Sequence, residues 1–183
     1  MAVYKKGNAI KLSNNFKTTE MDCKGTNCCS HTLIDKQLVI FLQKIRNHFN
    51  KPIVINSGYR CAVHNNRVGG ARYSKHIQGK AADIAVKGVK PKEVAKYCES
   101  IGIKGIGLYE TFVHIDTRSK KSFWYSSAQH YRSTFGGIKT IRQIAEEVIE
   151  GKWGTGASRK KKLAAAGYDY KEIQALVNEL LRK

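Results

Sequence analysis

No run of apolar residues in this 183-residue chain approaches the ~20 needed to cross a bilayer, so a membrane-inserted protein is not expected. The opening MAVYKKGNAIKLSNNF carries charge but no apolar stretch behind it, so no secretory signal is expected and synthesis in a cytoplasm is the expectation. Acidic residues are scarce: 14 Asp and Glu stand against 33 Lys and Arg, a formal charge of +19. Such an excess attracts polyanions, whether nucleic acid, anionic lipid or an acidic cell wall. No nucleic-acid motif is present, however, and the basic residues are scattered rather than gathered in one run, so nucleic acid is not the expected partner. Most of the excess falls before residue 137.

Cysteines are few and odd in number: Cys23, Cys28, Cys29, Cys61 and Cys98. Without a secretory signal, reduced thiols are the default. The cluster DCKGTNCC at 22–29 would hold a structural zinc together with His31, but C-x4-C-C is not a clean ligand spacing. Free thiols or a late disulfide are the alternatives.

The periodicity predicts a helix over 31–49, with Leu38, Ile40, Phe41, Leu42 and Ile45 near helical spacing and Asp35 near its start. A strand follows in KPIVINSGYR, then a long polar loop over 61–80, a second apolar strand in AADIAV, a helix in KPKEVAKYCESIG closed by Gly102, and one or two strands in KGIGLYETFVHIDTR. The second half of 119–137 reads as a linker. Beyond it, Ile138, Ile141, Ile144, Ala145, Val148 and Ile149 form one helical stripe ended by Gly151. A short helix in SRKKKLAAAG precedes Gly167, and DYKEIQALVNELL starts with Asp169 and Glu172 in a capping-box pattern. The expected architecture is α+β: a small, mainly antiparallel sheet with flanking helices, followed by a C-terminal three-helix mini-bundle.

One stretch raises a chemical question. SKHIQGKAADI, residues 74–84, sets His76 and Asp83 about 20 Å apart if fully extended, so they meet only if the chain bends, which Gly79 permits. Asp83 lies in an apolar run, where an ionised carboxylate needs a partner. FVHIDTR places Phe112, His114 and Asp116 on one face of a strand and Val113 and Ile115 on the other. His76, Asp83 and His114 together make a two-histidine, one-carboxylate set that leaves a position open, as catalytic zinc requires. Histidines beside strands are more often satisfied structural or surface residues, and pattern alone leaves both readings standing.

SGYRCAVHNNRVGGARYSKHIQGKAADI and GIGLYETFVHIDTR closely resemble the zinc D-alanyl-D-alanine peptidase family, related to the vancomycin-resistance dipeptidases and the hedgehog fold. The pattern S-x-H-x-x-G-x-A-x-D is matched by Ser74, His76, Gly79, Ala81 and Asp83, and a later H-x-D by His114 and Asp116. The resemblance covers roughly residues 16–125. It implies that His76, Asp83 and His114 bind Zn²⁺, that Arg60 engages substrate and that Ser74 lines the same pocket. Several relatives carry a catalytic acid three residues before the last histidine, where this chain has Thr111; Glu110 and Asp116 are the nearest carboxylates, and both are candidates for the general base.

Residues 138–182 resemble the short cell-wall-binding repeat of certain phage lysozymes, through EVIEGKWG and AAGYDY. That likeness implies binding of muropeptides, with Trp153, Arg159 and Tyr168 as the ligand-facing candidates; Trp153 plugging the mini-bundle is the structural alternative. The combined expectation is a monomeric endolysin of phage type that acts at the bacterial cell wall. Its peptidase domain spans 1–126, its linker 127–137 and its wall-binding repeat 138–183; it would cut peptidoglycan stem-peptide or cross-link bonds involving D-Ala. The rival expectation is a non-catalytic wall-binding protein with a structural zinc.

Overall fold

The computed structural model of the chain describes residues 1–125, 139, 141–166 and 168–182. Its N-terminal strand β1 (Ala2–Lys5) pairs antiparallel with β2 (His31–Ile34), and α1 (Lys36–Phe49) follows directly. The helix expected over 31–49 is therefore shorter. Residues 31–34 bury alternate side chains and give their backbone to β1, and Asp35 in extended conformation then caps α1 by accepting from the Gln37 amide at 3.2 Å. Leu38, Leu42 and Ile45 form the buried stripe of α1, and Asn50 ends it in the left-handed conformation.

The main sheet has five strands: β3 (Ile53–Ser57), β4 (Ala81–Val86), β5 (Gly105–Leu108), β6 (Val113–Asp116) and β7 (Ser122–Tyr125), in spatial order β3-β4-β6-β5-β7. All neighbours are antiparallel except β5 and β7. One face presents Ile84, Ile106, Val113, Ile115 and Phe123 to a core shared with α1 and with α3 (Pro91–Ser100). Pro91 opens α3 and Gly102, at φ +87°, follows its end. The segment read as a uniform loop contains a short helix, α2 (Ala62–Arg67), because the Cys61 sulfur accepts from the His64 amide and caps a turn the polar sequence does not advertise.

The C-terminal helices α4 (Ile141–Ile149), α5 (Gly156–Ala165) and α6 (Tyr170–Leu180) enclose a separate small core of Ile144, Ala145, Val148, Leu163, Ile173 and Val177. Asp169 caps α6 through the Lys171 amide at 2.9 Å. Glu172 does not complete a capping box: its carboxylate accepts from Ser122 Oγ at 2.8 Å, beside an ion pair with Arg118 at 3.5 Å. These bonds, with a parallel bridge between Lys121 and Tyr168, seat the bundle against β7. The expected linker 127–137, together with Ile138 and Gly167, lies outside the described residues. Among those described, no helix is long and apolar enough to cross a membrane.

Candidate metal centre

Strand register assembles the site. Asp83 on β4 lies directly opposite His114 on β6, which in turn faces Gly107 on β5, and Gly107 faces Trp124 on β7. One step along, Ala81, Asp116, Gly105 and Ser122 form the next cross-strand row. Side chains alternate along a strand, so both rows project from the face opposite the apolar core. The two glycines make room. A Cβ on Gly105 would sit 2.1 Å from the Asp116 carboxylate, and one on Gly107 would sit 2.5 Å from the Trp124 indole.

His76 arrives from the loop. Ser74 Oγ accepts from the His76 amide at 3.3 Å, and Gly79 turns the chain at φ +63° into β4. Gly79 has no room for a side chain, since a Cβ would meet the Leu33 carbonyl at 2.4 Å, while its own carbonyl accepts from the Asp35 amide. This is the bend that brings His76 to Asp83.

His76 Nε2, Asp83 Oδ1 and His114 Nδ1 converge, with separations of 3.3, 2.8 and 3.2 Å. A tetrahedral zinc with N and O ligands at 2.0–2.1 Å sets its ligands about 3.3 Å apart, close to this triangle. The outward nitrogens are both occupied. His76 Nδ1 donates to the Gly58 carbonyl at 2.7 Å, which turns the Nε2 lone pair inward, and His114 Nε2 meets Asp116 Oδ2 at 3.2 Å. A carboxylate at each nitrogen of His114 demands a cation between His114 and Asp83: an imidazolium proton or a metal ion. The proton affinity points the same way: burial pushes His114 down, but Asp116 and Asp83 together raise it above its ordinary value. The donor set fits Zn²⁺.

Asp116 is fully buried, and Arg118 grips both its oxygens, Nε at 2.8 and 3.0 Å and Nη2 at 2.7 Å. Burial raises the Asp116 carboxyl, but His114 and Arg118 outweigh it and hold it far below the usual carboxylate range. Asp83 follows the same balance, with His114 and His76 overriding its burial. Arg118 also lies over the Trp124 ring at 5.1 Å, and the Trp124 indole donates to Tyr109 Oη at 3.2 Å.

The centre opens into a cleft of about 680 Å³ lined by Arg60, Ser74, Tyr109, Phe112, Trp124 and Glu172 among others. Arg60 and Ser74, expected at the substrate, are there. Arg60 Nη2 donates to Asp83 Oδ2 at 2.6 Å and its Nε to Ser57 Oγ at 2.7 Å, so it also steadies the carboxylate. Glu110 stands exposed in the β5–β6 turn, outside the cleft lining. Trp153, Arg159 and Tyr168 belong to the C-terminal bundle, away from the cleft. Tyr168 is 7% exposed, packs edge-on against Trp153 and donates to the Lys139 carbonyl; half-buried Trp153 donates to Glu147 at 3.0 Å, and Arg159 to the Gly154 carbonyl at 2.8 Å. Sequence reasoning missed Arg118, Trp124 and Glu172. Arg118 was readable, two residues after Asp116 on the same strand-face alternation; Trp124 and Glu172 depend on which strands and helices become neighbours.

Residues 14–116 match the Peptidase M15 family, and residues 142–181 match the CW_7 repeat. Over 74 residues the chain is 36% identical to the peptidoglycan L,D-endopeptidase MepK of Escherichia coli K12, covering 37% of this chain and 41% of that protein. A probable peptidoglycan L,D-endopeptidase MepK of Haemophilus influenzae is 39% identical over 75 residues, covering 37% and 40%. Over 43 residues the chain is 48% identical to a lysozyme of Streptococcus phage Cp-7, covering 24% of this chain and 13% of the lysozyme. The chain thus spans less than half the length of each of these relatives. Its peptidase signature, on the residues that build the cleft, shows that the chain belongs to the M15 peptidase family and carries a CW_7 repeat beyond the peptidase region.

Proposed function

We propose that this protein is a zinc-dependent peptidoglycan peptidase of endolysin type, with residues 1–126 as catalytic domain, 127–137 as linker and 138–183 as the part that attaches to the bacterial wall. The observation that carries the reading is the convergence of His76, Asp83 and His114 at the floor of an open cleft in an M15 domain. A zinc ion held by those residues supplies a Lewis acid for water activation and carbonyl polarisation. Three protein ligands and an open cleft favour catalysis over a closed structural metal.

The chain's own residues perform the remaining work. Asp116, gripped by Arg118 and His114, orients the His114 ring, which makes it a positioning residue. Glu110, exposed in the β5–β6 turn between the cleft-lining Tyr109 and Phe112, acts as the proton acceptor. Arg60, Arg72, Lys75 and Arg118 outnumber the carboxylates Asp83 and Glu172 in the cleft lining, a positive balance suited to peptides rich in carboxylates, as peptidoglycan stems are. The bond cut is a stem-peptide or cross-link bond involving D-Ala. At the wall, the half-exposed edge of Trp153 and nearby Arg159 take the muropeptide, while Tyr168 supports Trp153 from beneath.

Digestion of purified Gram-positive peptidoglycan, with new termini read by mass spectrometry, tests the proposal. New amino and carboxyl termini at a D-Ala-containing bond, absent with Asp83→Ala, are expected. Binding to the wall without any new terminus would leave a non-catalytic wall-binding protein instead.

A further inference from the structure

A second group of metal-binding side chains lies outside the cleft. Cys23, Cys28, Cys29 and Cys61 bring their sulfurs within 4.8 Å of one another. Cys23 Sγ is 3.7 Å from Cys28 Sγ and 3.9 Å from Cys61 Sγ, and Cys28 Sγ is 3.9 Å from Cys29 Sγ. These separations are nearly twice the ~2.05 Å of a disulfide bond. They match the edge of a tetrahedron of four thiolates around zinc, about 3.8 Å for Zn–S of about 2.3 Å. A [4Fe–4S] cluster would need its cysteines spread around a whole cube of atoms, wider than this group allows.

The surroundings suit thiolates. The Cys61 amide donates to Cys23 Sγ and the His64 amide to Cys61 Sγ, each at 3.4 Å. Gly25 lets the 24–28 loop close over the group, because a Cβ there would sit 2.6 Å from Cys28 Sγ. Lys6 Nζ holds the Gly25 carbonyl at 2.9 Å and Arg67 the Thr26 carbonyl at 3.5 Å, placing positive charge around a site that four thiolates and one Zn²⁺ leave at −2. His31, the expected fourth ligand, is turned away: its Nε2 meets Tyr59 Oη at 3.1 Å. The fourth ligand is Cys61, 38 residues further along than Cys23, which is why the spacing around 23–29 looked incomplete.

We propose that Cys23, Cys28, Cys29 and Cys61 bind one Zn²⁺ as a closed structural site, distinct from the His76 centre and independent of the reading of the cleft. Its effect is to clamp the N-terminal loop to the residue that follows Arg60. Arg60 is thereby held between two anchors, Cys61 on one side and the Tyr59 amide bonded to the Met21 carbonyl on the other.

Metal analysis of the full chain, purified with reductant, tests the proposal in the wild type, His76→Ala and Cys28→Ser. The expected content is two zinc per chain in the wild type and one in each variant. Cobalt-loaded His76→Ala should also show an intense near-ultraviolet sulfur-to-cobalt charge-transfer band, a reading that stands even if Cys28→Ser fails to fold. Zinc-free His76→Ala with no such band, whether its four thiols react at once with a thiol reagent or its mass shows disulfides, would overturn the site.

Discussion

The pair formed by Asp116 and Arg118 decides how His114 is held. Asp116 is fully shielded from water and Arg118 is its cationic partner, so removing the guanidinium leaves a buried charge held only by His114 and the residue-118 backbone amide. Arg118→Met is expected to destabilise the fold by about 3–5 kcal/mol, the range for breaking a buried pair from one side. The pH dependence follows. Asp116 titrates lower folded than unfolded, so its contribution is complete above the ordinary carboxylate range and erodes as pH falls toward the depressed folded value. With Arg118→Met the folded value rises, and acid unfolding, followed by circular dichroism, should begin at higher pH than in wild type. A second pair of variants separates the two candidate carboxylates. Glu110→Gln should lower kcat by about 10²–10⁴-fold with zinc affinity unchanged, as for a lost general base. Asp116→Asn should weaken zinc affinity by about 10–100-fold, as for a lost orienting residue. Full activity in Glu110→Gln would move the base elsewhere. At this scale the convergence of His76, Asp83 and His114 was legible through the family pattern around Ser74–Asp83 and His114–Asp116, since local pattern alone left a structural reading standing; the approach of Cys61 to Cys23 was not, because nothing near Cys23 points to it.

At the level of elements, β5 is shaped by what must not be there. Gly105 and Gly107 alternate with Ile106, so one face of the strand is bare above the Asp116 carboxylate and the Trp124 indole while the other feeds the core. Gly107→Ala is expected to push Trp124 off the sheet at a cost of about 1–3 kcal/mol, the overpacking range. Thermal unfolding and the Trp124 fluorescence, measured in a Trp153→Phe background, report it; an unshifted emission with unchanged stability would show that the glycine is not required. The alternation in GIGL was visible in the sequence, but its meaning required knowing that β7 lies alongside β5. That pairing is parallel and non-local, and no turn signal announces it. The same limit explains β2: a strand of four residues takes its identity from β1, so a helical apolar period running past Asp35 absorbed it. Helices α1, α3, α4 and α6 were legible because their stripes and caps are local.

For the molecule as a whole, the chain brings two small cores together at Ser122, Arg118 and Glu172, so a residue of the C-terminal bundle sits on the rim of the catalytic cleft. That a separate repeat follows the peptidase region was readable from the helical stripes and caps beyond residue 140, in line with the two family matches; their contact was not, because Glu172 reads as a capping residue in its own helix. The charge of +19 suits a wall bearing anionic polymers, and co-sedimentation with walls should weaken as salt is raised. His76→Ala should keep that co-sedimentation while losing cleavage, since attachment is assigned to residues 138–183. Loss of both together would contradict the division of labour. The most direct test of the central claim removes and returns the metal. Wild-type protein stripped with a chelator, then reloaded with Zn²⁺, is assayed for new peptidoglycan termini beside His76→Ala treated identically. Cleavage that disappears on stripping, returns on reloading and never returns in the variant is the result expected; cleavage that survives stripping, or persists in His76→Ala, would contradict a zinc peptidase built on His76, Asp83 and His114.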